Sequence, residues 1–165
     1  MNLLNTNECS ATLDAIITSA NKYLVIMSPY IKLSERVESL LDLADQRGVS
    51  IFIIARERLS REDYYKVKDF AKLTICIHPP LHAKVYSNEE EVLISSLNLY
   101  EFSQQKNTEM GVQFERRDEK DQFSYLGIQV LDILNDKRSE LPVKRLNDSE
   151  WKKFNKDVQG KGWLF

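Results

Sequence analysis

The sequence predicts an α/β fold in which a layered, mostly parallel or mixed β-sheet is flanked by helices. Two apolar runs, Tyr23–Met27 and Ile51–Ala55, have the length of strands and lack polar alternation, which suits strands covered on both faces. Between such runs, apolar residues recur at spacings of three and four, as on one face of a helix. This alternation is typical of a sheet with helices packed on its faces.

The elements of the first half follow from these patterns and from their capping residues. Leu13, Ile16 and Ile17 share the apolar face of the first helix, and Gly48 ends the second. In order, the predicted elements are a helix capped by Thr6, the strand Tyr23–Met27, a helix capped by Ser34, the strand Val49–Ala55, a helix over residues 60–71 and the strand Leu73–Ile77.

The second half predicts a strand pair, a further strand and two helices. We expect residues 1–140 to form one domain, and residues 141–165, which end in Trp163 and Phe165, to form a helical and aromatic extension packed on it. The predicted elements are the strands Leu81–Tyr86 and Glu91–Ile94 around the turn Ser87–Glu90, the strand Asn107–Phe114, a long helix capped by Asp118 and a short helix near Asp148–Asn155.

Charge, cysteine usage and hydropathy indicate which kinds of partner the protein can bind and in which cellular compartment it is expected. The chain carries 23 basic and 25 acidic residues, so a polyanion must be met by a local basic patch. The amino terminus resembles no signal peptide, and no apolar run approaches the roughly 20 residues of a membrane helix. Cys9 and Cys76 are expected to be free thiols. The expectation is a cytoplasmic protein without a membrane partner.

His82 and Lys84 form the first chemical signal. Two positions apart on a predicted strand, they point to the same face. An imidazole beside an ammonium suits phosphate chemistry, because the lysine supplies a charge for the oxygens and the histidine supplies a nucleophile or an acid. The alternative, which the residues leave open, is an ordinary solvated face of a strand.

Ser96, Asn98 and Glu109 extend this signal. Ser96 and Asn98 directly follow the next predicted strand, so their short polar side chains can enter the same cavity. Glu109 is placed to accept one ring N–H of His82 and leave the other nitrogen free to react. A Ser-x-Asn pair also serves as a helix cap, so the signal depends on the conjunction of these residues and not on any one of them.

The conjunction resembles the HKD motif of the phospholipase D superfamily. In that motif His-x-Lys is followed by Asp, then by Gly-Ser-x-Asn, and by a Glu downstream. The matching runs here are His82–Lys84, Ser95–Asn98 and Asn107–Glu109. Residues 23–30, with the following helix and Arg47-Gly48-Val49, resemble the first βαβ unit of these domains. The resemblance covers roughly residues 10 to 115.

The chain departs from the motif at two positions. Counting from Lys84 puts Glu89 at the Asp position, and counting back from Ser95 puts Asn88 there. Ser95 itself replaces the first Gly of Gly-Ser-x-Asn. The family's Asp is mainly structural, so the resemblance still implies an active site, while a degenerate domain used for dimerisation or nucleic-acid binding remains the alternative.

The resemblance implies metal-independent phosphodiester transfer through a phosphohistidine, with no cofactor. His82 would be the nucleophile, Lys84 and Asn98 would bind phosphate, Ser96 would bond a phosphate oxygen or the imidazole, and Glu109 would orient His82. The family reaction uses two histidines from two motifs. This chain has only His78 besides His82, and His78 lacks a lysine two residues on. The resemblance therefore implies a homodimer with the active site at its interface.

Further residues are candidates for substrate binding. Arg56 and Arg58 follow a predicted parallel strand at its carboxyl end, where α/β sheets place ligands, although ion pairs with Glu57 or Asp63 are equally open. Lys106 can add to the basic patch. Tyr30 and Lys32 can flank the cleft or lie on a surface loop. His78 is expected to be a solvent-exposed turn residue, with a place at the mouth of the cleft as the alternative.

Small single-motif members of the family are mostly nucleases, so the resemblance favours DNA or RNA as substrate. A pI of about 5.8 argues against strong nonspecific binding to DNA. Lipid-active members usually carry two motifs in one long chain. The aromatic residues Trp151, Trp163 and Phe165 keep a phospholipase or phosphatidyl transferase as a further alternative.

Overall fold

The computed structural model describes residues 1–100 and 107–159. Within these ranges the helices are α1 (Thr6–Ser19), α2 (Glu35–Gln46), α3 (Arg61–Val67), α4 (Lys120–Asn135) and α5 (Asp148–Gln159). The strands there are β1 (Asn2–Leu4), β2 (Tyr23–Met27), β3 (Ile31–Lys32), β4 (Ser50–Ala55), β5 (Leu73–Ile77), β6 (Val85–Asn88), β7 (Glu91–Ser95), β8 (Leu99–Tyr100), β9 (Gly111–Glu115) and β10 (Glu140–Lys144).

Eight of the described strands form one mixed sheet in the order β1-β9-β7-β6-β2-β4-β5-β10. β2, β4 and β5 are parallel, as the alternating helix and strand patterns predict, and the other pairs of this sheet are antiparallel. A second, parallel pair joins β3 to β8. The predicted fold class, a layered mixed sheet flanked by helices, is confirmed.

Both faces of the sheet are covered, which explains the continuous apolar runs. Alternate residues of β2 pack on opposite sides: Leu24 and Ile26 join the cluster under α1 and α2, and Val25 joins the cluster under α4 and α5. On the second side the rings of Phe52 and Phe154 stack with centroids 4.3 Å apart. The chain after residue 140 thus adds β10 to the sheet edge at β5 and α5 to one of its faces.

Helix boundaries depart from expectation at three ends. Asn5, not Thr6, caps α1, in a capping box with Glu8. The predicted Asp118 cap is wrong, because α4 begins at Lys120 without a side-chain cap. The helix capped by Ser60 ends at Val67 and not at residue 71. The cap at Ser34 and the stop at Gly48, whose φ is 78°, are confirmed.

Strand boundaries differ where tertiary pairing decides them. β6 begins at Val85 and includes two residues of the predicted turn, and β9 begins at Gly111 instead of Asn107. The short strands β1, β3, β8 and β10 were not predicted, because two to five residues carry little intrinsic strand signal and depend on a partner strand. Pairing of β10 shifts register between Glu140 and Val143.

Cys9 and Cys76 are both buried free thiols, as predicted. Across the described part of the chain, no helix combines the length and the apolar character needed to cross a membrane.

Candidate active site

The candidate site lies at the sheet edge formed by the carboxyl ends of β2, β4 and β5. His82 and Lys84 belong to the segment that enters β6 at this edge. The segment precedes β6, which begins at Val85, but the Ser95 N–H donates to the Lys84 carbonyl oxygen at 3.1 Å and so continues the pairing of β6 with β7. Lys84 is therefore fixed opposite Ser95, beside the residues that carry the second part of the motif.

The side chains of this segment face outward. His82 is exposed and Lys84 is half-buried. The Lys84 Nζ donates to the His82 carbonyl oxygen at 3.2 Å, so the ammonium lies over the backbone that carries the imidazole. A turn closed by the Leu81 N–H and the His78 carbonyl oxygen, 2.9 Å apart, leads into the segment. His82 and Lys84 are thus together at the surface, where a phosphate can reach both.

Ser96 and Glu109 form a hydrogen-bonded pair on the neighbouring loops. The Ser96 hydroxyl donates to the Glu109 carboxylate and accepts the Met110 N–H at 3.1 Å. Glu109 is buried, and its backbone is fixed to α1 because its N–H donates to the Thr6 hydroxyl oxygen at 2.8 Å. The partner of Glu109 is therefore Ser96, and orientation of His82 by Glu109 stays a prediction.

The backbone around Asn98 is held on both sides. The buried Tyr86 hydroxyl donates to the Leu97 carbonyl oxygen at 2.7 Å, and the Leu99 N–H donates to the Ser28 hydroxyl oxygen at 3.1 Å. Burial raises the pKa of Tyr86 well above its usual range; a hydrogen bond with Ser28 acts in the opposite direction, and the nearby Glu109 charge raises it further. Tyr86 is thus a permanent neutral donor beneath the site.

The residues at the two departures from the motif have structural partners. Ser95 Oγ donates to the Met110 carbonyl oxygen and accepts the Leu97 N–H, each at 3.0 Å, so it ties β7 to the segment before β9. The Asn88 amide donates to the Ile16 carbonyl oxygen at 2.9 Å, which anchors the β6–β7 turn to α1.

Glu89 contacts the start of β2. Its buried carboxylate accepts the N–H groups of Asn21, Lys22 and Tyr23 at 2.8, 3.2 and 3.3 Å. A carboxylate at this place therefore stabilises the sheet at the end opposite the candidate site.

The substrate-binding candidates are spread along the site edge. Arg56 is exposed, and its N–H donates to the Pro29 carbonyl oxygen at 3.2 Å, next to the exposed Tyr30. Arg58 lies further along the edge and pairs with Glu140 at 2.9 Å, and not with Glu57 or Asp63, the alternative that the sequence left open. Lys106 lies outside the described residues, as do Trp163 and Phe165 of the tail.

His78 is not the exposed turn residue that was expected. It is buried, and its Nδ1 lies 2.8 Å from the Ser139 hydroxyl oxygen. Because that hydroxyl donates to the Ile133 carbonyl oxygen, Nδ1 is the donor and carries the proton. Burial lowers the pKa of His78, Asp136 partly offsets this, and Arg138 adds to it. His78 thus fastens the turn before His82 to the end of α4.

Three supporting residues escaped the sequence reasoning: Thr6, Ser28 and Tyr86. Each touches the site through a partner 11 to 103 positions away in the chain. Thr6 and Ser28 are ordinary residues at the start of a helix and the end of a strand, and Tyr86 reads as a core aromatic. No local pattern distinguishes these roles.

Comparison with known proteins places the chain in a family. The profile described as "Cardiolipin synthase, PLD-like domain" matches residues 13–126. A search of curated proteins found no match. Among solved structures, the phospholipase D family member Nuc from Salmonella typhimurium is 20% identical, with a TM-score of 0.65 over 85% of this chain and 95% of Nuc.

Two further structures share the fold. NucT from Helicobacter pylori is 13% identical, with a TM-score of 0.65 over 81% of this chain and 96% of NucT. TrmBL2, an archaeal chromatin protein described as showing a novel mode of DNA binding, is 14% identical, with a TM-score of 0.56 over 86% of this chain and 53% of its own. With the family match over more than half of its length, this chain belongs to the phospholipase D-like domain family.

Proposed function

We propose that the protein is a metal-independent phosphodiesterase, a nuclease that cleaves DNA or RNA through a phosphohistidine intermediate. One observation carries the proposal. His82 is exposed, and the Lys84 Nζ lies 3.2 Å from its carbonyl oxygen. Both residues lie in the segment before β6, where the Lys84 carbonyl oxygen accepts the Ser95 N–H beside the Ser96–Glu109 pair. Phosphodiester chemistry is the family-level activity of this fold, and TrmBL2 supports a nucleic-acid partner.

In the proposed reaction His82 attacks phosphorus through a neutral ring nitrogen. A nitrogen–phosphorus bond forms as the bond to the leaving oxygen breaks, and a second imidazolium gives its proton to that oxygen. The second imidazole then removes a proton from water, whose oxygen attacks phosphorus and releases His82. Lys84 and Asn98 stabilise the charge that develops on the nonbridging oxygens.

The second imidazole is proposed to come from another copy of the chain. His78 cannot supply it, because its ring is buried and hydrogen-bonded to Ser139. Next to the site an apolar surface is open: Ile94, which precedes Ser95, is 44% exposed and pairs across strands with Val112, which in turn pairs with Leu3. Tyr125 on α4 lines the same groove of about 610 Å³. We name Leu3, Ile94, Val112 and Tyr125 the apolar surface.

A cleavage assay in excess EDTA tests the proposal. Single-stranded and double-stranded DNA, RNA and bis-p-nitrophenyl phosphate serve as substrates. We expect cleavage that survives the chelator and falls by on the order of a thousandfold or more in His82→Ala, because the nucleophile is removed. His78→Asn is the control, since the Asn amide can still donate to Ser139; its activity should persist.

Other outcomes identify the alternatives. Cleavage that requires added magnesium would contradict the mechanism. An intact dimer that binds nucleic acid and cleaves nothing would indicate a degenerate binding module. Release of headgroups from phospholipid vesicles without cleavage of nucleic acid would indicate a phosphatidyl-transfer or lipase activity, which the description of the family profile makes worth testing.

A further inference from the structure

Two neighbouring tyrosines on α3, Tyr64 and Tyr65, are exposed to solvent. Tyr65 is 56% exposed and Tyr64 is 36% exposed. Their rings meet edge to face, with centroids 6.2 Å apart. Neighbouring aromatic rings that face solvent are a platform on which flat ligands can stack.

Cationic side chains surround these rings. The Arg61 guanidinium carbon and the Lys68 Nζ each lie 5.6 Å from the centroid of Tyr65, within cation–π distance. Arg58, whose side chain is 73% exposed, lies beside Tyr64 in the lining of one cavity. Two of these cations form ion pairs with exposed carboxylates, Lys68 with Asp69 and Arg58 with Glu140. Exposed pairs of this kind are weak, so a phosphate can replace either carboxylate. The surface therefore presents Arg61 and Lys68 against the Tyr65 ring and Arg58 beside Tyr64.

The cavity between α3 and the sheet has mainly apolar walls. It has a volume of about 230 Å³, and Tyr64 and Arg58 form its polar rim. Its walls are the side chains of Leu59, Ile75, Ile77, Pro142 and Val143. Apolar walls with an aromatic ring and one cation suit a flat group that has apolar faces, a polar edge and a neighbouring negative charge.

This surface lies at the same sheet edge as His82. Arg58 and Leu59 follow the carboxyl end of β4, and Ile77 ends β5. From β6, which His82 precedes, the sheet order runs through β2 and β4 to β5. Three strand spacings of about 4.8 Å give roughly 14 Å, on the order of four base steps at the 3.4 Å rise of a stacked strand. Arg56 lies between the two places.

We propose that Tyr64, Tyr65 and Arg58 form a subsite that stacks unpaired bases of single-stranded nucleic acid a few nucleotides from the phosphate at His82. The proposal rests on the proposed nuclease function and narrows its substrate. Base faces are available for stacking on aromatic side chains only where they are not already stacked within a duplex. Arg58 can neutralise the adjoining phosphate by exchanging its exposed pair with Glu140 for it. The tyrosine subsite thus favours single strands or frayed ends over intact duplex.

Binding of fluorescein-labelled dT12 and of a 12-base-pair duplex, measured by anisotropy with His82→Ala as the background to prevent cleavage, tests the proposal. We expect Tyr64→Leu and Tyr65→Leu each to weaken dT12 binding about tenfold, the size of one stacking contact, with little effect on the duplex. Tyr64→Phe and Tyr65→Phe keep the rings and should retain binding. Equal dT12 affinity of the Leu and Phe variants would overturn the subsite.

Cleavage of bis-p-nitrophenyl phosphate separates this proposal from the proposed function. In a background with His82 intact, the Leu variants should cleave this small diester at the unaltered rate, because it cannot span the distance to α3. If the unaltered protein cleaves no diester, the nuclease proposal fails while the dT12 binding result still decides the subsite. Unaltered thermal unfolding of the Leu variants shows that the fold persists.

Discussion

Two hydroxyl groups fix the backbone on either side of Asn98, and neither belongs to the motif. Tyr86 holds the Leu97 carbonyl oxygen and Ser28 holds the Leu99 N–H. A buried carbonyl oxygen that loses its donor costs about 1–3 kcal/mol, so these bonds keep the loop in one place. In the proposed reaction Asn98 would therefore meet a phosphate without first being ordered, which would lower the entropic cost of binding.

His78 makes a pH prediction at the same scale. Its pKa is lowered by burial from 6.5, so between the two values the unfolded chain binds more protons than the folded protein. The free energy of unfolding should therefore be highest above about pH 6.5 and fall as the pH is lowered through the depressed pKa. In His78→Asn, the free energy of unfolding measured by urea titration should depend less on pH between about pH 6.5 and the depressed pKa of His78. A curve that keeps its full slope would assign the pH dependence to other groups.

The motif residues were predictable and their supports were not, for one physical reason. His82, Lys84, Ser96, Asn98 and Glu109 carry chemistry in their side-chain types and their order in the sequence. Thr6 and Tyr86 act only because the fold brings a distant backbone group within 3 Å of a hydroxyl. The prediction that His78 is exposed to solvent was wrong, because its hydrogen-bond partner Ser139 is 61 positions away in the sequence.

Among the elements, β2, β4 and β5 were predictable because burial on both faces leaves an unbroken apolar run. The short outer strands form only because a neighbouring strand pairs with them. An inner strand also depends on a distant contact, since Glu89 bonds the start of β2. One carboxylate at the β6–β7 turn accepts three N–H groups at the start of β2, which joins an antiparallel hairpin to the parallel part of the sheet.

Glu89→Ala should accordingly lower the free energy of unfolding by about 2–4 kcal/mol, because the buried N–H of Tyr23 and the N–H groups of Asn21 and Lys22 lose their charged acceptor. Glu90→Ala is the matched control at the next position. Glu90 is exposed and lies 3.5 Å from Arg116, a surface pair worth about 0–1 kcal/mol. Denaturant unfolding measures both. Similar losses in the two variants would contradict the role given to Glu89.

For the whole molecule, the position of the apolar surface matters more than its size. Ile94 pairs with Val85, three residues after His82, so a twofold axis that brings two His82 residues together would pass near this surface. In the proposed dimer the same side chains of both copies would face each other, and the groove along α4 would be filled by the second copy. Assembly and activity would then be lost together.

Ile94→Glu tests this coupling, because a charge on each copy would have to be buried. We expect a monomer by light scattering and loss of phosphodiester cleavage, with normal thermal unfolding since Ile94 is half-exposed. Leu43→Glu is the control: Leu43 is 51% exposed on α2, which packs on the opposite face of the sheet. A dimer or full activity in Ile94→Glu would place the contact elsewhere.

The outer strands of the sheet limit how two copies can meet. β1 has three residues, and β10 combines Pro142, which has no N–H to donate, with a shift in register. Neither offers a straight ladder of free backbone groups to another strand. A strand of a second molecule is therefore hindered from pairing at either outer edge of the sheet. The protein should resist the edge-to-edge strand pairing that leads to fibrils, even at high concentration.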